Sequence, residues 1–379
     1  MKHNWEYKNF GSIADILYGF PFDSSRFNTD AQGMPLIRIR DVKPGCTSTF
    51  YDGKYSEEYL VKKGELLVGM DGEFNIAPWK SEDALLNQRV CRIKSKNESR
   101  ILSKYFFFFL KIALKRIEEQ TSFVTVKHLS AKVLCNISTP VPPMEVQERI
   151  VAELDKINEL IEQNRELLRH LDALAQSLFY DTFGDPVTNP KGWDVYFLDK
   201  LGELGRGVSK HRPRNAPELL GGTMPLIQTG DIANAGIYIT KYVSTYSELG
   251  VAQSKVWPKN TLCITIAANI GKTAITTFPA CFPDSIVGFS VDKDVCNSLF
   301  IYYFFNAIQK DLEDNANGVA QKNINLAILS ALKVPLPPLA LQNQFAAQVE
   351  AIEAQKAIVE KSIAELQTLL DSRMDYWFN

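Results

Sequence analysis

The chain has 379 residues, 45% of them hydrophobic, which suits two or three domains with real cores. No run reaches 18 consecutive apolar residues, and the opening stretch MKHNWEYKNF has no apolar signal core, so neither a membrane span nor a secretory leader is expected. The net charge of −2 conceals an alternation: +5 over residues 1–140, −6 over 141–185, +2 over 186–336 and −3 over 337–379.

Short apolar runs bounded by Gly, Pro, Asn and Asp read as strands in chain order: PLIRI from Pro35, LLVGM from Leu66, RVCRI from Arg89, PLIQT from Pro225, LCITI from Leu262 and IVGFSV from Ile286. Helical patterning appears around 101–120 and 297–314. Each of these stretches holds an aromatic cluster, YFFFFL (105–110) and YYFF (302–305), best placed in a core. Two further helices follow proline knots. In the first, Ile150, Leu154, Ile157, Ile161, Asn164, Leu168, Leu171, Ala175 and Leu178 step by four and three residues, a heptad register. In the second, Phe345, Val349, Ile352, Lys356, Val359, Ile363, Leu366, Leu370, Arg373 and Trp377 do the same. Proline tolerates a helix entry and not its interior, which fixes both starts, while Gly184-Asp185-Pro186 ends the first. Roughly 38 residues at 1.5 Å each give about 57 Å of helix.

These elements repeat. At an offset of 195 residues, Pro142, Pro143, Val146 and Gln147 fall on Pro337, Pro338, Leu341 and Gln342, and Lys127 falls on Lys322. Upstream the offset drifts to 190, where MPLIRIRDV (34–42) matches MPLIQTGDI (224–232). The pattern reads as an internal duplication, with blocks 1–140, 141–185, 186–336 and 337–379. The expected fold is α+β, with two similar β-rich domains and two long helices. The economical partner for each narrow apolar stripe is the other helix, in an antiparallel coiled coil. The alternative is that each helix packs on its own domain. In the antiparallel pairing, Asn164 and Lys356 are each expected opposite an apolar residue or the other's end.

Catalytic and metal-binding signatures are missing. Gly271-Lys272-Thr273 lacks the earlier glycine of a P-loop, because Ile266 stands there. No histidine pair has metal-ligand spacing, so no metal is expected. No G-x-S-x-G elbow occurs, and TNPKGW (188–193) is not a methyltransferase Asn-Pro-Pro-aromatic tetrad. The six scattered cysteines read as small buried hydrophobes in a reducing compartment.

The duplicated PP-Φ-x-x-Q helix entries (Pro142–Gln147, Pro337–Gln342), the paired heptad helices, the MPLIRIRDV/MPLIQTGDI pair, and TVKHLS (125–130) with AQKNIN (320–325) together resemble the specificity (S) subunit of type I DNA restriction–modification systems. The resemblance covers essentially the whole chain and rests on order and spacing rather than on one motif. It implies a non-catalytic, cytoplasmic subunit in which 1–140 and 186–336 are target recognition domains. Each would read one half of a bipartite, asymmetric site on double-stranded DNA. It also implies that the helices set the spacer and dock two modification (methyltransferase) subunits, with restriction subunits as further partners. No cofactor is expected on this chain, since S-adenosylmethionine would bind the methyltransferase. A different restriction type, a methyltransferase without a nuclease, and a coiled-coil scaffold with no DNA role are the rival readings.

The expected DNA contacts follow from base-edge and phosphate chemistry. In the first block they are Arg38, Arg40 and Lys43, with Arg38 and Arg40 on one strand face if that run is a strand. The matching place in the second block offers Gln228, Thr229 and Asp231. The basic loop SKHRPRN adds Lys210, Arg212 and Arg214, and the turn at ANIGKT adds Asn269, Lys272 and Thr273. Lys127 and Lys322 precede the two knots at equivalent positions. For the arginine run at 38–43 and the loop SKHRPRN a merely solvated surface is the competing reading, and for Lys127 and Lys322 it is a cap on the helical entry.

Overall fold

A computed structural model describes the backbone of residues 4–120, 127–267, 270–317 and 324–378, and the side chains of these except 315–317. The chain forms two compact units, residues 1–165 with 361–379 and residues 166–360.

In the first unit a four-stranded antiparallel sheet runs in the order Ala14–Tyr18, Val90–Ser95, Leu66–Gly69, Asn75–Pro78. The helix Ser103–Gln120 packs against it. Tyr105, Phe106, Phe108, Phe109 and Leu110 of that helix are buried, in the same cluster as Val68, Ile76 and Ile93 of the sheet, so the aromatic run is core. A five-stranded mixed sheet of short strands includes Met34–Ile37 and Ala84–Leu86. A two-stranded pair, Glu6–Asn9 with Ser138–Val141, fastens the beginning of the unit to the strand just ahead of the first proline knot.

The second unit repeats this plan. Its sheet runs Gly202–Arg206, Ile286–Val291, Leu262–Thr265, Thr273–Thr276, then adds Tyr238–Ile239 in parallel. The helix Ser298–Asn317 packs on the sheet and buries Tyr303, Phe304 and Phe305. Val195–Phe197 pairs with Lys333–Pro335 ahead of the second knot. Each of the six runs expected to be strands overlaps an observed strand, but PLIRI and PLIQT leave theirs at Ile37 and Leu226.

The long helices are Met144–Phe183 and Leu339–Phe378, 40 residues each. Pro143 and Pro338 sit at equivalent entries, each carbonyl accepting from the amides three and four residues on, Val146 and Gln147 in one and Leu341 and Gln342 in the other. A proline there forfeits only an amide that the first turn leaves orphaned anyway. Gly184 takes φ +81°, and its amide closes on the Tyr180 carbonyl at 2.8 Å, the left-handed stop that glycine adopts without a Cβ penalty.

Within the first unit, Ile150, Leu154, Ile157 and Ile161 share a core with Leu370, Met374, Trp377 and Phe378, flanked by Ile363 and Leu366. Within the second, Ala175, Phe179 and Phe183 meet Phe345, Val349 and Ile352, flanked by Leu171 and Leu178. Val359 is buried and Leu168 half-buried. The pairs run antiparallel: Glu153 meets Arg373 and Asn164 meets Ser362 in the first unit, and Asp172 meets Lys356 in the second.

Within each unit the helix segments pack on one another and also on the unit's own core. Phe378 lies 5.6 Å from the Tyr105 ring, and Phe179 lies 6.0 Å from both Phe300 and Tyr303, so helix ends join their unit's aromatic core as well as each other.

The polar interruptions differ from expectation. Asn164 does not face an apolar residue; its Nδ2 donates to Ser362 Oγ at 3.1 Å. Lys356 Nζ is held by Asp172 (2.7 Å) and Glu353 (2.8 Å). Burial acts to lower the Lys356 pKa, but the hydrogen bonds from these carboxylates outweigh it and hold it above its ordinary value. A half-buried polar group needs a partner, and each helix supplies one. Cysteine placement also departs from expectation: Cys91, Cys263, Cys281 and Cys296 are buried, but Cys46 is exposed and Cys135 half-buried.

Candidate nucleic-acid interface

Two backbone devices recur in both units and frame the places where side chains differ. The first follows the strand that opens the MPLI repeat. Asp41 Oδ2 accepts from the Arg38 amide at 2.9 Å, and Asp231 Oδ2 accepts from the Gln228 amide at 2.8 Å. Each aspartate closes a tight turn of helix, Ile39–Asp41 or Thr229–Ala233. The strand therefore ends at Ile37, and Arg38 and Arg40 do not share a strand face: Arg38 caps the turn and Arg40 lies within it. The conserved geometry displays Arg38 and Arg40 in one unit, and Gln228 and Gly230 in the other.

The second device is a buried glutamine at each helix entry. Gln147 Oε1 accepts from the Leu102 amide (2.9 Å), while Nε2 donates to the carbonyls of Pro142 (2.8 Å) and Arg100 (3.0 Å). Gln342 accepts from the Asn297 amide (2.9 Å) and donates to the carbonyls of Pro337 (2.8 Å) and Val295 (3.5 Å). Both side chains are fully buried. An amide carries one acceptor and two donors in a plane, so one residue ties the knot, the helix start and the preceding aromatic helix together. The sequence marked these glutamines as part of the repeat and gave no sign of that role.

The candidate contact residues are spread over both units. In the first unit Arg40 is exposed, with Nη2 3.4 Å from Thr49 Oγ1, and Lys43 pairs with Glu73 at 3.2 Å across two exposed side chains. Lys127 is half-buried and bound to Glu118 at 3.0 Å. In the second unit Lys210, Arg212 and Arg214 lie on one exposed loop. Gln228 Nε2 reaches Ser244 Oγ at 3.2 Å, and Thr229 opens the short helix. Lys272 is exposed, with its amide donating to Thr265 Oγ1 at 3.1 Å. Thr273 is 6% exposed, inside its strand, and presents no hydroxyl at the surface. Asn269 and Lys322 lie outside the described residues.

On the long helices the electrostatics are of another kind. Glu153 accepts from Arg373 Nε and Nη2 and from Trp377 Nε1 (3.1 Å). The hydrogen bond from Arg373 is the main reason its carboxyl lies below the ordinary value, against the opposing effect of burial. Among the described residues no group of His, Cys, Asp and Glu could hold a metal ion, and no helix is long and apolar enough to cross a membrane.

Comparisons with known proteins agree with this duplicated plan. A family model described as the type I restriction modification DNA specificity domain matches twice, over residues 2–172 and 190–368. The specificity subunit of the type I restriction enzyme EcoBI from Escherichia coli is 30% identical, over 95% of this chain and 81% of the relative. A specificity subunit of the putative type I restriction enzyme MjaX from Methanocaldococcus jannaschii is 23% identical over 97% of this chain and 92% of its own. Among solved structures, the S subunit of a type I system from M. genitalium superposes with a TM-score of 0.58 at 15% identity, covering 98% of this chain and 96% of that one. With two family-model matches and a relative aligned over most of both chains, this chain belongs to the type I restriction–modification DNA specificity family.

Proposed function

We propose that residues 1–140 and 186–336 are two target recognition domains, each reading one half of a bipartite, asymmetric DNA site. As a member of its family the chain is the non-catalytic, DNA-recognising component of a type I restriction–modification complex. The finer assignment rests on one observation above all: the same backbone turn, closed by Asp41 or Asp231, displays arginines in one unit and Gln228 in the other. Arginine forks onto guanine O6 and N7, and glutamine pairs with adenine N6 and N7. A duplicated frame with divergent donors suits two different half-sites.

In this reading Arg38, Arg40, Lys43 and Lys127 serve the first half-site. Lys210, Arg212, Arg214, Gln228, Thr229 and Lys272 serve the second. The helices 141–185 and 337–379 fix the spacer, and their acidic faces disfavour phosphate and suit protein, so two methyltransferase subunits dock there, with restriction subunits joining the complex in the cytoplasm. Leu167 and Leu174, 44% and 47% exposed and one heptad apart, are apolar positions on such a face.

The test is to co-express the chain with its methyltransferase subunits and map the methylated sites by sequencing. Arg38→Ala with Arg40→Ala is expected to relax one half-site, and Gln228→Ala the other, with a bidentate contact contributing about 1–3 kcal/mol of discrimination. If both substitutions act on the same half, the assignment is wrong.

A further inference from the structure

Two arginines of the basic loop after Gly207 share one carboxylate, that of Asp284. Gly207 begins it at a close approach: a Cβ there would meet the Pro283 and Phe282 carbonyl oxygens at 2.3 and 2.4 Å, so the loop start is pressed onto the turn that carries Asp284. The Gly207 amide bonds the Ile286 carbonyl at 2.8 Å, which fixes that approach. Arg214 Nη2 lies 2.5 Å from Asp284 Oδ1 and 2.7 Å from Oδ2, and Arg212 Nη2 lies 3.5 Å from Oδ2. The Asp284 backbone carbonyl also accepts from Arg206 Nε. Arg212 is braced from the other side by Nη1 hydrogen bonds to the Ser209 (2.5 Å) and His211 (2.8 Å) carbonyls. Further along, the Lys210 and His211 amides share Gln253 Oε1, and His211 Nε2 faces Glu218 at 3.7 Å. Three guanidinium groups thus converge on one aspartate whose side chain is 30% exposed, while the Arg212 and Arg214 side chains remain 55% and 46% exposed.

The first unit keeps the frame and changes the contents. Gly19 presses on the Asn87 carbonyl much as Gly207 presses on Pro283. The loop that follows reads FPFDSSR, with Phe20 exposed and Phe22 buried, and the exposed Gln88 follows Asn87 as Asp284 follows Pro283. This loop is therefore variable in chemistry on a fixed support.

We propose that Asp284 is a specificity-determining positioning residue for the second half-site. It rests on the reading that residues 186–336 contact DNA. A guanidinium has five donors, and those Arg214 turns to Asp284 leave the opposite edge open to solvent. The correct base edges meet that edge without disturbing the pair. A random phosphate run must instead compete with a carboxylate already in place, so its gain from Arg212 and Arg214 is largely cancelled. Asp284 thus suppresses non-specific binding while holding the fork for the specific complex.

The test uses the complex of this chain with its methyltransferase subunits, and two duplexes, one carrying the mapped site and one lacking it, titrated between 50 and 200 mM salt. Asp284→Asn keeps the size and the backbone carbonyl that holds Arg206. It is expected to raise affinity for the duplex without the site and to steepen its log–log salt slope by about one to two phosphate contacts, at about 0.9 each. That corresponds to roughly a 3- to 12-fold additional loss of affinity across this fourfold salt range. Discrimination between the duplexes falls, while Asp284→Glu stays near wild type. Arg212→Gln with Arg214→Gln is expected to do the opposite, giving a shallower slope.

A slope and discrimination unchanged in Asp284→Asn would overturn the proposal. So would a uniform loss of affinity on both duplexes, which is what a merely structural residue gives. If the wild-type complex itself fails to distinguish the duplexes, the DNA reading falls and this inference with it. If wild type discriminates and the double arginine variant matches it, DNA reading stands and only the role of this loop is lost.

Discussion

Replacing Gln147 with leucine probes the device that ties recognition domain to helix. The substitution keeps the volume of a fully buried side chain and removes one acceptor and two donors. Three backbone groups lose their partner. The Arg100 carbonyl belongs to an exposed residue and regains water, whereas the Pro142 carbonyl is buried and the Leu102 amide is largely enclosed. A buried group left unsatisfied costs about 1–3 kcal/mol, so two such groups give about 2–4 kcal/mol after allowing for partial hydration. For a unit of this size that amounts to roughly 5–15 °C in Tm. Urea unfolding followed by hydrogen exchange assigns the loss to a region. The reduced protection is expected in the residues of the first unit, with the denaturant slope unchanged, because the same surface is exposed on unfolding. Gln342→Leu is expected to do the same to the second unit. The two effects should add within about 0.5 kcal/mol, since the glutamines share no partner. A cost below about 0.5 kcal/mol for Gln147→Leu would refute the argument, because the site would then be hydrated or free to relax.

Two further predictions concern the helices. Glu153 has a folded pKa below its ordinary value of 4.5, so it contributes stability above that value and loses the contribution as pH falls through the folded value. Thermal stability of the first unit should therefore drop below about pH 4.5, and Glu153→Gln should flatten that limb; an unchanged acid limb counts against the Arg373–Glu153 pair as a stabilising contact. Inserting seven residues between 150 and 178, with a matching insertion in the second helix, preserves the heptad register. It is expected to lengthen the spacer of the methylated site and leave both half-sites alone. Altered half-sites with the spacer kept would sink the ruler.

Much of this architecture was legible in the sequence, because periodicity and punctuation are local signals. Heptad steps, proline entries and the Gly184 stop placed both long helices, and the runs RVCRI and IVGFSV became central strands of their sheets. What escaped depended on partners distant in the chain. PLIRIRDV looks like a continuing strand, but the Asp41 side chain captures the Arg38 amide and turns the chain one residue after Ile37. Asn164 and Lys356 looked like flaws in an apolar seam, because their partners, Ser362 and Asp172, come from the other helix. The motif revealed Gln147 and Gln342 as repeated letters, yet their function lies in backbone groups some 45 residues upstream. Arg212 and Arg214 read as free cations for the same reason: Asp284 is 70 residues beyond Arg214.

The central claim is that two recognition blocks read independently. Its most direct measurement replaces residues 186–336 with the corresponding block of another specificity subunit, joined at the same proline knot, and sequences the DNA methylated by the assembled complex. The account predicts a site with one half changed, the other half and the spacer retained. A site altered in both halves, or in neither, would contradict it.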